Sequence, residues 1–184
     1  MVLRATSARR PGRFPGKKWA GCLVALLAAA LVLGACVPGQ QRPTSGWSGP
    51  QPAGDVLLLG TMEGRLLALQ VKTEGRTKVW EYPPVGQKEL VAIYTTPLAA
   101  QGRVYFGDFG GKLHVLDETR GDKLWEFDVG APVFAGVAHG GNVVVTAGAQ
   151  GKVVGLAADT GEPQWHFEAK AGVWATPAIA DGLV

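Results

Sequence analysis

Few side chains in this 184-residue chain are of a kind that does chemistry, and their spacing argues against it. The three histidines, His114, His139 and His166, stand singly. Zinc ligands come at short intervals, typically about two to five residues apart, so each of these reads as an ordinary strand or loop histidine. The 15 Asp and Glu residues are scattered, many of them in turn phrases such as "DETRGD" (117–122) and "ADTGE" (158–162). There a carboxylate hydrogen-bonds its own turn backbone. Calcium needs about 6–8 oxygens brought together, and no acidic cluster supplies them. "GDFGGK" (107–112) and "GAQGK" (148–152) are glycine-rich, but each lies between two strand-like runs. A phosphate loop opens into a helix instead. On residue chemistry alone the expectation is no catalytic residue, no metal ligand and no cofactor-binding residue.

The two cysteines, Cys22 and Cys36, belong to a different argument. Residues 1–21 carry Arg4, Arg9, Arg10, Arg13, Lys17 and Lys18 without an acidic residue, and the apolar run Leu23 to Gly34 follows. That order marks a secretory signal, and the run is shorter than the roughly 20 residues of a membrane-spanning helix. It ends in "LGAC" (33–36), which resembles the lipobox of bacterial lipoproteins. The resemblance implies a signal peptide over 1–35 and acylation of Cys36 as the first residue after cleavage. Cys22 has no apolar segment before it. Residues 36–54, "CVPGQQRPTSGWSGPQPAG", are rich in Pro, Gly, Ser and Gln, as a flexible tether is. No internal disulfide is expected beyond them, although an exported protein could form one. Charge follows the same division. Of 18 basic residues six precede Cys36, leaving 12 against 15 acidic ones. The basic balance of the whole chain therefore belongs to the export segment, and no nucleic-acid partner is expected.

The elements that must position everything else are repeated. "GRLLALQVKTEGRTKVWEY" (64–82), "GKLHVLDETRGDKLWEF" (111–127) and "GKVVGLAADTGEPQWHF" (151–167) say nearly the same thing three times. Gly64, Gly111 and Gly151 open them, and Trp80, Trp125 and Trp165 close them, 45 and 40 residues apart. Within one unit, "RVYFGD" and "KLHVLD" are strand-like runs joined by a glycine-bearing turn, and "ETRGDK" turns the chain again into "LWEFDV". Trp125 and Phe127 then share one strand face, as do Trp80 with Tyr82 and Trp165 with Phe167. "VLLLG" and "NVVVT" are apolar throughout, as in strands buried on both faces. Pro97, Gly136 and Pro177, 39 and 41 apart, read as unit openers. "WSGPQPAGDVLLLG" (47–60) reads as a degenerate opening of the first unit, with Trp47 and Pro50 matching Trp174 and Pro177. The first unit holds two extra residues between Leu69 and Trp80, and the chain breaks off within a repeat at Val184. About 40 residues holding about four short strands is the size of a propeller blade.

The recurring phrase G-K-L-x-x-L-D … G-x-x-L-W-x-F, with T-T-P (95–97) or A-T-P (175–177) opening a unit, resembles the repeat of the pyrroloquinoline-quinone-type (PQQ) propellers. The resemblance implies an all-β fold: a PQQ-like β-propeller with four-stranded blades, about three and a half of them over residues 55–184. It also implies that Trp80, Trp125 and Trp165 pack between blades. An aromatic side chain of that size buries about 150–250 Å², worth at most about 4–6 kcal/mol. Open sheet edges lead us to expect residues 37–184 alone to self-associate.

A lipobox, a polar tether and such blades together resemble the lipoprotein subunit of the outer-membrane β-barrel assembly machinery. That likeness implies an exported, membrane-anchored scaffold, periplasmic or at the outer cell surface. Its partners would be other envelope proteins and, through the lipid, a membrane. The alternative within the same resemblance is the first part of a PQQ-dependent dehydrogenase, which would hold the quinone and Ca²⁺. Many alcohol-oxidising members also carry a disulfide of adjacent cysteines, which this chain lacks. A ligand-sensing propeller is a further alternative.

Overall fold

The structure is a computed structural model that describes residues 48–184. The expected signal peptide, Cys36 and the expected tether up to and including Trp47 lie outside the described residues.

Every described element is a strand. Blade 1 comprises β1 (Gln51–Ala53), β2 (Val56–Gly60), β3 (Leu66–Lys72) and β4 (Gly75–Tyr82). Blade 2 comprises β5 (Leu98–Ala100), β6 (Arg103–Gly107), β7 (Lys112–Asp117) and β8 (Lys123–Asp128). Blade 3 comprises β9 (Ala138–Gly140), β10 (Val143–Ala147), β11 (Lys152–Ala157) and β12 (Pro163–Glu168). Each blade is a separate four-stranded antiparallel sheet whose strands pair in chain order. The architecture is all-β, in keeping with an incomplete PQQ-like β-propeller. Blade 1 starts four residues before the boundary at 55 drawn from composition, because Gln51 to Ala53 pair with Val56 to Leu58. Val137, not Gly136, holds the place of Pro97, since each directly precedes the first strand of its blade.

Turn chemistry sets the hairpins. Between β5 and β6, Gln101 and Gly102 take φ of 51° and 72°, and Asp181 and Gly182 take 50° and 77°. Two successive positive φ values make the turn whose twist matches that of the flanking strands. Asp181 and Gly182 join Ala180 to Leu183, which form an isolated bridge. This repeats the Ala100–Arg103 pairing at the head of blade 2. In all three blades the third and fourth strands carry a register shift at the same place: Ala68/Leu69, Val115/Leu116 and Gly155/Leu156. A bulge there increases local twist. The two extra residues of the first unit lengthen its β3–β4 hairpin.

The core is a pair of layers between blades, and the period of two along each strand explains it. In β6, Val104 and Phe106 face the layer shared with blade 1, whereas Tyr105 faces the layer shared with blade 3. In β7, Leu113 and Val115 join the second layer and Leu116 the first. The central strands of blade 2 are thus buried on both faces, as their continuous apolar runs require.

The tryptophans join blade to blade. Trp80 is 8% exposed, and its indole lies where a Cβ on Gly121 of blade 2 would stand 2.6 Å from Cδ2. Its Nε1 donates to Glu118 O at 3.0 Å. Trp125 repeats the contact one blade on: a Cβ on Gly161 would lie 2.5 Å from its Cε3, and Nε1 donates to Ala158 O at 3.3 Å. Both glycines have positive φ, 73° and 77°, so they answer two requirements at once. Trp165 departs from the expectation of inter-blade core. It is 36% exposed, because no described blade stands against it, and its indole covers Gly155 of its own sheet.

Gly121→Ala is expected to lose about 1–2 kcal/mol to left-handed strain and about 1–3 kcal/mol more to overpacking against Trp80. Gly102, at φ 72° with nothing near its missing Cβ, carries only the first penalty. The urea midpoint of Gly121→Ala should therefore fall below that of Gly102→Ala.

Candidate functional site

The glycines that open the three repeat phrases are structural. Gly64, Gly111 and Gly151 have φ of 78°, 92° and 100°, and each closes the turn between the second and third strands. The carbonyl of each accepts from the segment that leaves the fourth strand: Leu90 N at 3.1 Å, Val129 N at 2.9 Å and Ala169 N at 2.9 Å. A Cβ on Gly64 would meet Leu90 O at 2.0 Å, and on Gly151 Ala169 O at 2.8 Å. These positions hold the inter-blade loops down and contribute no reactive group.

The tryptophan positions are structural in the same sense. Trp80 and Trp125 have their indole N–H groups spent on backbone carbonyls of the next blade. Beside Trp165, a shallow apolar hollow is lined by Ala147, Val153, Phe167, Val173 and Pro177 among others. Phe167 is 62% exposed there, whereas its counterpart Phe127 packs against the core between blades 2 and 3. Cys36, the expected lipidation site, lies outside the described residues.

A buried polar pair in blade 2 escaped the reading of single residues. His114 on β7 and Asp108 in the preceding turn are 1% and 3% exposed. His114 Nε2 lies 3.0 Å from Asp108 Oδ2. A carboxylate can only accept, which places the ring proton on Nε2. Asp108 Oδ1 also accepts from Lys112 N at 2.9 Å. The imidazole stacks on Phe106 with centroids 5.1 Å apart and meets Tyr82 of blade 1 at 6.0 Å. Glu126 is its cross-strand neighbour in the ladder, with Oε2 3.8 Å from Nδ1, beyond hydrogen-bond reach. Nδ1 itself has no hydrogen-bond partner.

Glu126 is held by cations instead. Lys112 Nζ donates to Oε1 at 2.7 Å and Lys123 Nζ to Oε2 at 3.2 Å. The Lys112 hydrogen bond is the main cause of a carboxyl held down to about 2, against the resistance of partial burial. The same device recurs in blade 1, where Lys78 and Arg65 hold Glu81 below the usual carboxylate range. Arg65 reaches further, to Glu89 at 3.1 Å and to Pro83 O at 3.0 Å, and so ties down the longer loop after β4.

The sister blades show what is particular here. By repeat phase, Asp108 corresponds to Thr61 and Gly148, and His114 to Leu67 and Val154. Blade 2 alone has exchanged both positions for a hydrogen-bonded polar pair. The joint exchange was the available signal, and it needs the hairpin register to be seen. His139 begins a blade in β9, and His166 lies exposed on β12.

The described residues offer no ready set of side-chain ligands for a metal ion. No three His, Cys, Asp or Glu among them gather as an ion would need. Asp108 and Glu126 are already committed to His114 and to two lysines.

Comparison with known proteins agrees with this architecture. Residues 109–184 match the family model described as outer membrane protein assembly factor BamB. BamB of Burkholderia pseudomallei is 27% identical over 89 residues, 48% of this chain and 23% of that protein. A quinoprotein ethanol dehydrogenase of Pseudomonas putida is 36% identical over 73 residues, 39% of this chain and 12% of that enzyme. The chain thus spans about a quarter or less of the length of these curated relatives. The crystal structure of BamB from Moraxella catarrhalis superposes with a TM-score of 0.59 at 23% identity, over 73% of this chain and 41% of that one.

Two measurements check the polar site. Asp108→Ala should lose about 1–3 kcal/mol in denaturant unfolding by leaving the buried imidazole unpaired, whereas the double change Asp108→Thr with His114→Leu, the blade 1 residues, should recover most of it. Glu126 adds stability that is present above its unfolded pKa near 4.3 and is lost as pH falls toward about 2. The wild type should accordingly lose stability more steeply over that window than Glu126→Gln.

The repeat phrase, the three four-stranded sheets and the comparisons converge: the chain folds as an incomplete PQQ-like β-propeller, and residues 109–184 are similar to the outer-membrane assembly factor BamB.

Proposed function

We propose that this chain acts as a non-catalytic protein-interaction scaffold in the bacterial envelope, held to a membrane by lipid on Cys36 and serving outer-membrane protein assembly. The match of residues 109–184 to the BamB family model carries the reading. The chemistry of the blades supports it. Buried His114 and Asp108 of blade 2 are hydrogen-bonded to one another, and the Glu126 carboxylate beside them is neutralised by two lysines. A lipid anchor fits the basic–apolar–LGAC order of the first 36 residues, and more than one acyl chain makes such anchoring stable.

One observation favours a second reading. The 36% identity to the quinoprotein ethanol dehydrogenase fits a propeller segment of a PQQ enzyme, whose cofactor and calcium ligands would have to come from residues other than those described. The third alternative, a ligand-sensing propeller, has no residue constellation here to argue from.

Metabolic labelling with a clickable fatty acid tests the anchor: wild type should take up label and Cys36→Ala should not, and equal labelling of both would overturn it. Titration of the purified protein with PQQ and Ca²⁺ separates the two readings. No saturable binding is expected of the scaffold, and saturable binding would favour the enzyme.

A further inference from the structure

Three positions recur around the fourth strand of each blade. The residue after the opening glycine is a cation in all three: Arg65, Lys112 and Lys152. In blades 1 and 2 a fourth-strand carboxylate meets it, Glu81 Oε1 at 3.1 Å from Arg65 and Glu126 Oε1 at 2.7 Å from Lys112. A lysine three residues before that carboxylate, Lys78 or Lys123, binds its other oxygen. Blade 3 keeps the first cation and exchanges the rest. His166 lies opposite Val154, where Glu81 lies opposite Leu67 and Glu126 opposite His114. Pro163 replaces the second lysine. Among the described residues, the Lys152 side chain has no ion-pair or hydrogen-bond partner.

Space opens at the same place. Between blades 1 and 2, Tyr82 meets the imidazole of His114 with centroids 6.0 Å apart. One blade on, their counterparts are Phe127 and Val154, which belong to one core layer. Valine is the smaller side chain, and a hollow of about 350 Å³ lies there, lined by Phe127, Val154, Trp165, Lys152, His166 and Glu168 among others. Sites for small ligands begin near that volume, at about 300 Å³. Glu168 does not close it to an anion. It lies opposite Lys152 as Asp128 lies opposite Lys112, and Lys112 binds Glu126 with Asp128 beside it.

We propose that this hollow binds a small carboxylic acid with an apolar body. Its carboxylate takes the place that the Glu126 carboxyl group holds in blade 2 and accepts from Lys152 and His166. Its apolar part lies against Phe127, Val154 and Trp165. The guest thereby completes in blade 3 the pairing that blades 1 and 2 complete from their own sequence. A charge-assisted hydrogen bond is roughly twice as strong as a neutral one, but His166 is exposed and Lys152 only partly buried, so the affinity is modest. The site depends neither on the lipid anchor nor on the scaffold reading.

The full chain, labelled with 5-fluorotryptophan, is titrated with sodium phenylacetate, and in parallel with phenylacetamide and with sodium chloride at matched ionic strength. The Trp165 line in the ¹⁹F spectrum is assigned by its loss in Trp165→Phe. The proposal expects that line to shift saturably with phenylacetate alone. Lys152→Gln should weaken the response by about tenfold or more. His166→Glu restores the carboxylate of the sister blades and should abolish binding by filling the site from within. A shift that is absent or never saturates, or one that phenylacetamide reproduces, would overturn the proposal. So would a response unchanged in Lys152→Gln, which would place the acid in the apolar hollow beside Val173 and Pro177 instead.

Discussion

The fold depends on an indole lying on a glycine. Each of Trp80 and Trp125 reaches across from the outer strand of one blade, covers a left-handed glycine in the next and donates its N–H to a carbonyl three residues before that glycine. The contact removes a large apolar surface from water while leaving its one polar atom satisfied. It also fixes spacing, because any Cβ at the glycine would enter the ring. A blade of four short strands has no core of its own, so neighbours held at that spacing are what bury it.

From that constraint the rest of the arrangement follows. Central strands in blade 2 face a neighbour on both sides and become apolar at nearly every position. Charge gathers around the outer strand, whose Glu126 is paired with Lys112 and Lys123 and whose counterpart Glu81 is paired with Arg65 and Lys78. The Asp108–His114 pair is the exception: Nε2 donates to the buried carboxylate while the imidazole packs against Phe106 and Tyr82. Burial without catalysis is a consistent account of that pair.

Much of this was legible in the residues. Strand alternation placed Trp125 beside Phe127, the turn phrases "ETRGDK" and "ADTGE" fell where Gly121 and Gly161 take positive φ, and the 40-residue period set the blade. Three things were not. The first strand of blade 1 was hidden although 47–60 read as a degenerate opening, because Gln51 to Ala53 have the composition of a linker and only their pairing with β2 makes them a strand. The exposure of Trp165 depends on a neighbour that its own sequence cannot specify. The Asp108–His114 contact joins residues six apart across a hairpin, so it appears only once the register sets Phe106 opposite His114. Single-residue reasoning treats that histidine as ordinary, and its strand placement is indeed ordinary.

The most direct test of the indole–glycine account is a double-mutant cycle on Trp125→Leu and Gly161→Ala, read by equilibrium urea unfolding. The account predicts strong coupling: Gly161→Ala is severe beside the indole, and in the Trp125→Leu background it shrinks to the strain of a left-handed alanine, about 1–2 kcal/mol. Strictly additive losses would contradict it, since the glycine would then be required for reasons unrelated to the ring that lies on it.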